Sequence, residues 1–187
     1  MARGQERGAC GTPHDNTAHA GTAGYAERAD ALALHTYPCS DPDFDPRAAA
    51  QRLLDGARER GADAKNAAEE ELDLLDLPAR EAEQRVRRAS RGAERDELLA
   101  ALEELASWYR DLVVTAVGAE RAVVHADRLA VLAQDGTTER LAGAERACEI
   151  MRETWRAFEE FNLSPPLALE ALFVKLRREL GAIPALA

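Results

Sequence analysis

The residues Asn-Leu-Ser-Pro-Pro-Leu-Ala-Leu-Glu-Ala-Leu-Phe-Val-Lys-Leu-Arg-Arg-Glu-Leu, from Asn162 to Leu180, read as one short helix with a strongly apolar face. Ser164 stands at an N-cap position, where its hydroxyl can accept from the orphan amides of the first turn. Pro165 and Pro166 follow where a missing N–H costs little. From Leu169 the apolar residues fall at Leu172, Phe173, Leu176 and Leu180, the 3-and-4 spacing of one helix face. Lys175, Arg177 and Arg178 complement the dipole near the C-terminus, and Gly181 is a natural stop. So short and apolar a helix must dock on other helices, which makes the fold a packing of helices.

The composition agrees. In 187 residues, 46 % are hydrophobic, 5 % aromatic and 31 % charged, and Ala, Leu, Glu and Arg dominate, as in long helices. A formal net charge of −10 argues against a surface that embraces nucleic acid as a whole. Three cysteines, Cys10, Cys39 and Cys148, suit a reducing cytoplasm better than a disulfide scaffold. No run is apolar enough to span a bilayer and no signal-peptide core is visible, so a soluble cytoplasmic protein with no membrane partner is expected.

Working back along the chain, residues 97–181 form the expected helical bundle. Leu98, Leu102, Leu105, Tyr109, Leu112 and Ala116 recur at core spacing, and Gly118 ends that helix. A short helix is expected from Asp127 to about Gln134, a turn at Asp135-Gly136, and a cap at Thr137 or Thr138. The next helix carries Leu141, Ala144, Cys148, Met151, Trp155 and Phe158 on one stripe, flanked by Ala147, Ile150, Thr154 and Phe161. Asn162 ends it.

Upstream, residues 38–96 read as a helical linker. Asp45 caps and Pro46 opens a helix to about Arg60, with Ala49, Leu53, Leu54 and Ala57 inward; Gly61 interrupts, and a second helix runs to Asp76. Glu69, Glu70 and Glu71 in it point about 100° apart and form a solvated face rather than a cation site. Pro78 starts a helix that Gly92 kinks or divides. Its first half holds six arginines, Arg80, Arg85, Arg87, Arg88, Arg91 and Arg95. Direct phosphate contact there would be weak at most; the preferred reading is an exposed helix with i,i+4 pairs such as Glu81–Arg85, because no aromatics interleave. Residues 1–37 are poor in large apolar side chains and read as a disordered tail. Cys10, His14, His19, His35 and Cys39 match no common zinc spacing, so no metal is expected.

Chemistry is scarce in this pattern. No phosphate-cradling loop and no Gly-rich dinucleotide turn occur, and no Glu-x-x-His lies on a helix. His125 has no acidic or cysteine partner at helical spacing and is expected at the surface or in a cap. Cys148 reads as an inert buried thiol. No enzyme activity, catalytic residue, cofactor or small-molecule ligand is expected.

Three local patterns resemble one family. Trp108-Tyr109-Arg110-Asp111-Leu112 is similar to an aromatic-Arg-Asp signature; His125-Ala126-Asp127-Arg128-Leu129 is similar to an Asn-x-Asp-Arg-Leu turn; and Asn162, Pro165, Leu167, Leu169, Glu170 and Leu172 fit a last-helix motif. Together they resemble the C-terminal collar of the delta-prime subunit of the bacterial DNA polymerase III clamp loader, most clearly over Leu105–Leu180. The family has two AAA+-type subdomains before a helical collar that packs with other subunits into a ring. The family's nucleotide-binding loop, zinc module and Ser-Arg-Cys motif have no counterpart here, as in a split or mis-started gene or a decayed or free collar fragment. The resemblance implies a role in DNA replication by subunit assembly, with other clamp-loader subunits as partners and DNA only an indirect one. Under it, Trp108, Val113, Ile150, Phe161 and Phe173 are expected as exposed subunit-interface residues. Two other functions fit the residues: a stand-alone helical adaptor dimerising through its Leu98–Tyr109 stripe, and a helical domain binding a small molecule near Trp108, Trp155 and Phe158.

Overall fold

A computed structural model of the chain describes residues 39, 41, 43–75, 77–160 and 163–181. Among the described residues the fold is all-α, as the spacing predicts. Five α-helices follow in order: α1 (Pro46–Leu72), α2 (Ala79–Ala116), α3 (Leu129–Asp135), α4 (Leu141–Glu160) and α5 (Pro165–Leu180). Three single 3-10 turns, Glu120–Ala122, Ala126–Arg128 and Thr138–Arg140, sit in the connections. No helix among the described residues is long and apolar enough to cross a membrane. The segment 1–37 and its histidines lie outside the described residues.

Helix α1 begins as its sequence dictates. Asp45 is extended and its carboxylate accepts from the Arg47 amide at 2.9 Å, with Pro46 in the first turn. It does not stop at Gly61 as expected. The helix runs through for 27 residues, and Gly61 is buried within it. Its missing side chain admits α2: a Cβ there would lie 2.5 Å from Glu94 Cγ. Helix α2 likewise passes through Gly92 without a break and spans 38 residues. One glycine in a long helix costs about 1 kcal/mol, which i,i+4 ion pairs and packing elsewhere offset.

Pairings of Arg60 with Glu97 and of Gly61 with Glu94 make α1 and α2 an antiparallel hairpin. At its open end the hairpin joins the other helices in one core. Phe44, Ala49, Ala50, Leu53, Leu54 and Ala57 pack with Leu98–Leu112 of α2 and with Leu169–Leu180 of α5. The division expected near residue 96 therefore falls inside α2, and the start of α1 belongs to the bundle. Phe44 meets Phe173 with ring centroids 6.0 Å apart, and the Phe44 carbonyl accepts from Arg177. Arg47 pairs with Glu170 at 3.4 Å.

The closed end of the hairpin is different. Beyond Gly61 in α1 and before Leu98 in α2, no described residue is fully buried. Small half-buried residues line the seam there, Ala64 and Ala68 against Ala82, Val86, Ala89 and Ala93. This part is a two-helix arm projecting from a multi-helix body.

Helix α2 ends at Gly118, whose φ of 73° only glycine adopts without strain. Helix α4 packs on α5 so closely that a Cβ on Gly143 would lie 2.7 Å from the Glu179 carbonyl oxygen. The expected core residues Leu102, Leu105, Tyr109, Leu112, Met151, Leu169, Leu172 and Leu176 are all buried. Trp155 and Phe158 are only half-buried, because they lie toward the end of α4, where fewer helices surround it. Cys148 is also half-buried rather than enclosed, and burial pushes its thiol pKa up. Ser164 takes the extended capping conformation, but its hydroxyl makes no capping bond; Ser164 contributes its carbonyl to the Ala168 amide instead.

Candidate functional site

Two of the three resemblance motifs meet in one buried junction. After Gly118 the chain turns back along α2 and brings His125 over Glu104 and Asp111, about two helical turns apart on the same side of that helix. Asp111 is fully enclosed, and its Oδ2 accepts from the Val124 amide at 2.9 Å, the His125 amide at 2.8 Å and His125 Nδ1 at 2.8 Å. Its Oδ1 accepts from Arg110 at 2.7 Å, and the same guanidinium reaches the Ala122 carbonyl at 3.0 Å. On the other side of the imidazole, Nε2 lies 2.8 Å from Glu104 Oε1. The Trp108 ring stands edge-on to the imidazole, centroids 5.6 Å apart.

His125 stands at the cap position of the Ala126–Arg128 turn, its carbonyl accepting from the Arg128 amide, but it is buried rather than at the surface. The reason is long-range. Its carboxylate partners lie 14 and 21 residues away across a loop, where helical spacing cannot reveal them. Carboxylate oxygens at both ring nitrogens favour a donor on each, and so favour the doubly protonated ring. The hydrogen bond to Glu104 is the largest influence raising its pKa; burial opposes it and Asp111 adds to it. A charged imidazole between two carboxylates, with Arg110 behind, balances charge inside the fold. With both nitrogens engaged by buried carboxylates, the cluster clamps the 119–125 loop to α2.

Cys39 is similarly committed. Its Sγ lies 3.2 Å from the Tyr109 hydroxyl, and burial pushes its pKa up to about 12. A thiol so held is a core side chain rather than a ready metal ligand.

Three of the five expected interface residues are buried rather than exposed. Trp108, Ile150 and Phe173 are buried at 2 %, 3 % and 0 % exposure, because the neighbouring helices of this chain already cover those flanks. Val113 is half-buried, and Phe161 and Asn162 lie outside the described residues. The Leu98–Tyr109 stripe is likewise enclosed by the chain's own helices, which removes it as a dimer seam. Trp108, Trp155 and Phe158 pack into or against the core rather than around a ligand site. Asp127 is exposed.

Exposed large apolar side chains lie elsewhere: Leu74 and Leu75 after α1, Val117 and Val124 in the loop after α2, Val131 on α3, and a group at α5. Leu169, Leu172, Phe173, Leu176 and Leu180 face the core, while Leu167 is 70 % and Val174 52 % exposed. With exposed Ala171 these two share an arc of about 60° at 3.6 residues per turn, and Leu163, 43 % exposed, comes just before the helix. The signal was present in the sequence as a second 4-4-3 spacing, hidden behind the stronger core stripe of the same helix. Around it Lys175, Arg178 and Glu170 supply a charged border. An apolar strip with a polar border on a well-anchored helix has the form of a protein-docking face. No protein-family model, curated protein or solved structure matches the chain.

Proposed function

We propose that this chain is an assembly domain of the clamp-loader collar type, serving DNA replication in the cytoplasm by holding other subunits rather than by catalysis. The observation that carries the reading is the two-faced α5. One face anchors the helix in the body, and the other presents Leu163, Leu167 and Val174 to solvent. That helix coincides with the stretch most similar to the collar's last-helix motif. Further support comes from the Asp111–His125 junction, in which two separately resembling motifs form one contact. The body rigidly positions α5, and the partner's apolar side chains would cover the outer strip. The test is co-purification of the chain with clamp-loader subunits, with and without ATP. Binding that ignores nucleotide supports the reading. A chain that captures none of those subunits while its fold is intact contradicts it.

A further inference from the structure

The arm carries a second surface that the assembly reading does not use. All six arginines between Arg80 and Arg95 are exposed. Two of them are occupied: Arg85 pairs with Glu81 at 2.8 Å and Arg87 with Glu83 at 2.7 Å. Arg80, Arg88, Arg91 and Arg95 form no ion pair with any other described residue. At about 100° per residue these four, with Gln84 among them, share an arc of about 80° on α2. No other position from 80 to 95 falls in that arc, so no carboxylate interrupts it. The strip is about 22 Å long, from 15 residues at about 1.5 Å each.

Its placement follows from the fold. In the body, the same sector of α2 carries Leu98, Leu102 and Tyr109 and is buried. Where the body ends the sector continues, but as arginine in open solvent. Helix α1 packs against the half-buried Ala82, Val86, Ala89 and Ala93 of α2, on the side away from the centre of the strip, and Arg91 alone of the four arginines borders the groove that Glu69 of α1 also lines. A chain of net charge −10 has thus gathered an uninterrupted basic strip on one side of a projecting arm.

We propose that this strip docks the phosphate backbone of a nucleic-acid duplex. Guanidinium forks match phosphate oxygens, and their spacing along one helix side tracks a row of such groups. The strip has no apolar or aromatic anchor, which a protein interface would need at its centre and a single strand would need for stacking. Contact is therefore to backbone alone, without sequence preference. The inference stands independently of the collar reading.

The test is fluorescence anisotropy of the full chain with a labelled random-sequence DNA duplex of about 24 base pairs, titrated from 50 to 300 mM NaCl. Four phosphate contacts predict a slope of log K against log salt of about −3 to −4. Arg80→Gln/Arg88→Gln/Arg91→Gln/Arg95→Gln should weaken binding at 50 mM at least about tenfold and flatten the slope. Should the quadruple variant lose helicity, Arg80→Gln/Arg95→Gln should reduce the slope by about 2. A charge-matched set off the arm, Arg121→Gln/Arg146→Gln/Arg152→Gln/Arg156→Gln, should leave affinity within about twofold of wild type. Three results would overturn the proposal: no duplex binding at 50 mM, equal loss in the off-arm set, or tighter binding to a labelled poly-glutamate peptide than to the duplex.

Discussion

Asp111 and His125 show how much one residue pair can hold. The Asp111 carboxylate satisfies two loop amides and the imidazole at once, and Glu104 completes the clamp from about two helical turns away. Replacing His125 by Leu removes both ring donors and leaves two buried carboxylates without their cation. The expected cost is about 3–5 kcal/mol, read from urea unfolding. The pH dependence has a definite sign. In the folded protein the pKa of His125 is raised above its ordinary 6.5, chiefly by Glu104. The unfolded chain binds that proton less tightly, so the stabilisation is full below about pH 6.5 and fades as pH climbs through the raised value. Urea midpoints at pH 6, 7 and 8 should therefore fall in the wild type and change less in His125→Gln. A wild-type midpoint that rises over this range would contradict a protonated clamp.

At the scale of elements, glycines decide where helices approach and where they merely continue. Gly92 meets nothing within 4 Å of a built Cβ and sits in the exposed interior of α2. Gly92→Ala should raise stability by about 0.5–1 kcal/mol, measured as a shift in Tm. Gly143→Ala gains the same propensity but drives a methyl to 2.7 Å from the Glu179 carbonyl oxygen, where backbone must move. It should lower stability by about 1–3 kcal/mol. Sequence alone cannot separate these two, because a glycine used for closeness and one simply tolerated look alike. For the same reason Gly61 reads as a break although it is the point where α1 and α2 touch. What depends on local spacing was legible: the Asp45 cap, the Gly118 stop, the Glu81–Arg85 pair and the core stripes of α2 and α5. What depends on which helix covers which flank was not. Trp108 and Phe173 have the residue type of an interface and the position of a core.

At the scale of the whole molecule, the described residues form a helical body with an apolar outer strip on α5 and an arm with a basic side. Both surfaces are made by helices whose other side is already committed, so each presents a fixed row of side chains. Such a body suits binding that needs no conformational change and no nucleotide. The outer strip also predicts weak self-association at high concentration, which sedimentation velocity would detect and Leu167→Glu/Val174→Glu would abolish. Both side chains are more than half exposed, so this variant should keep its Tm within a few degrees. The most direct test of the central claim is isothermal titration of wild-type and Leu167→Glu/Val174→Glu protein into the assembled clamp-loader subunits without ATP. The account predicts saturable binding by the wild type and at least about a hundredfold weaker binding by the variant, consistent with loss of a central apolar contact. Equal binding by the two proteins would show that the outer face of α5 is not the docking face, and no binding by either would contradict the assembly role itself.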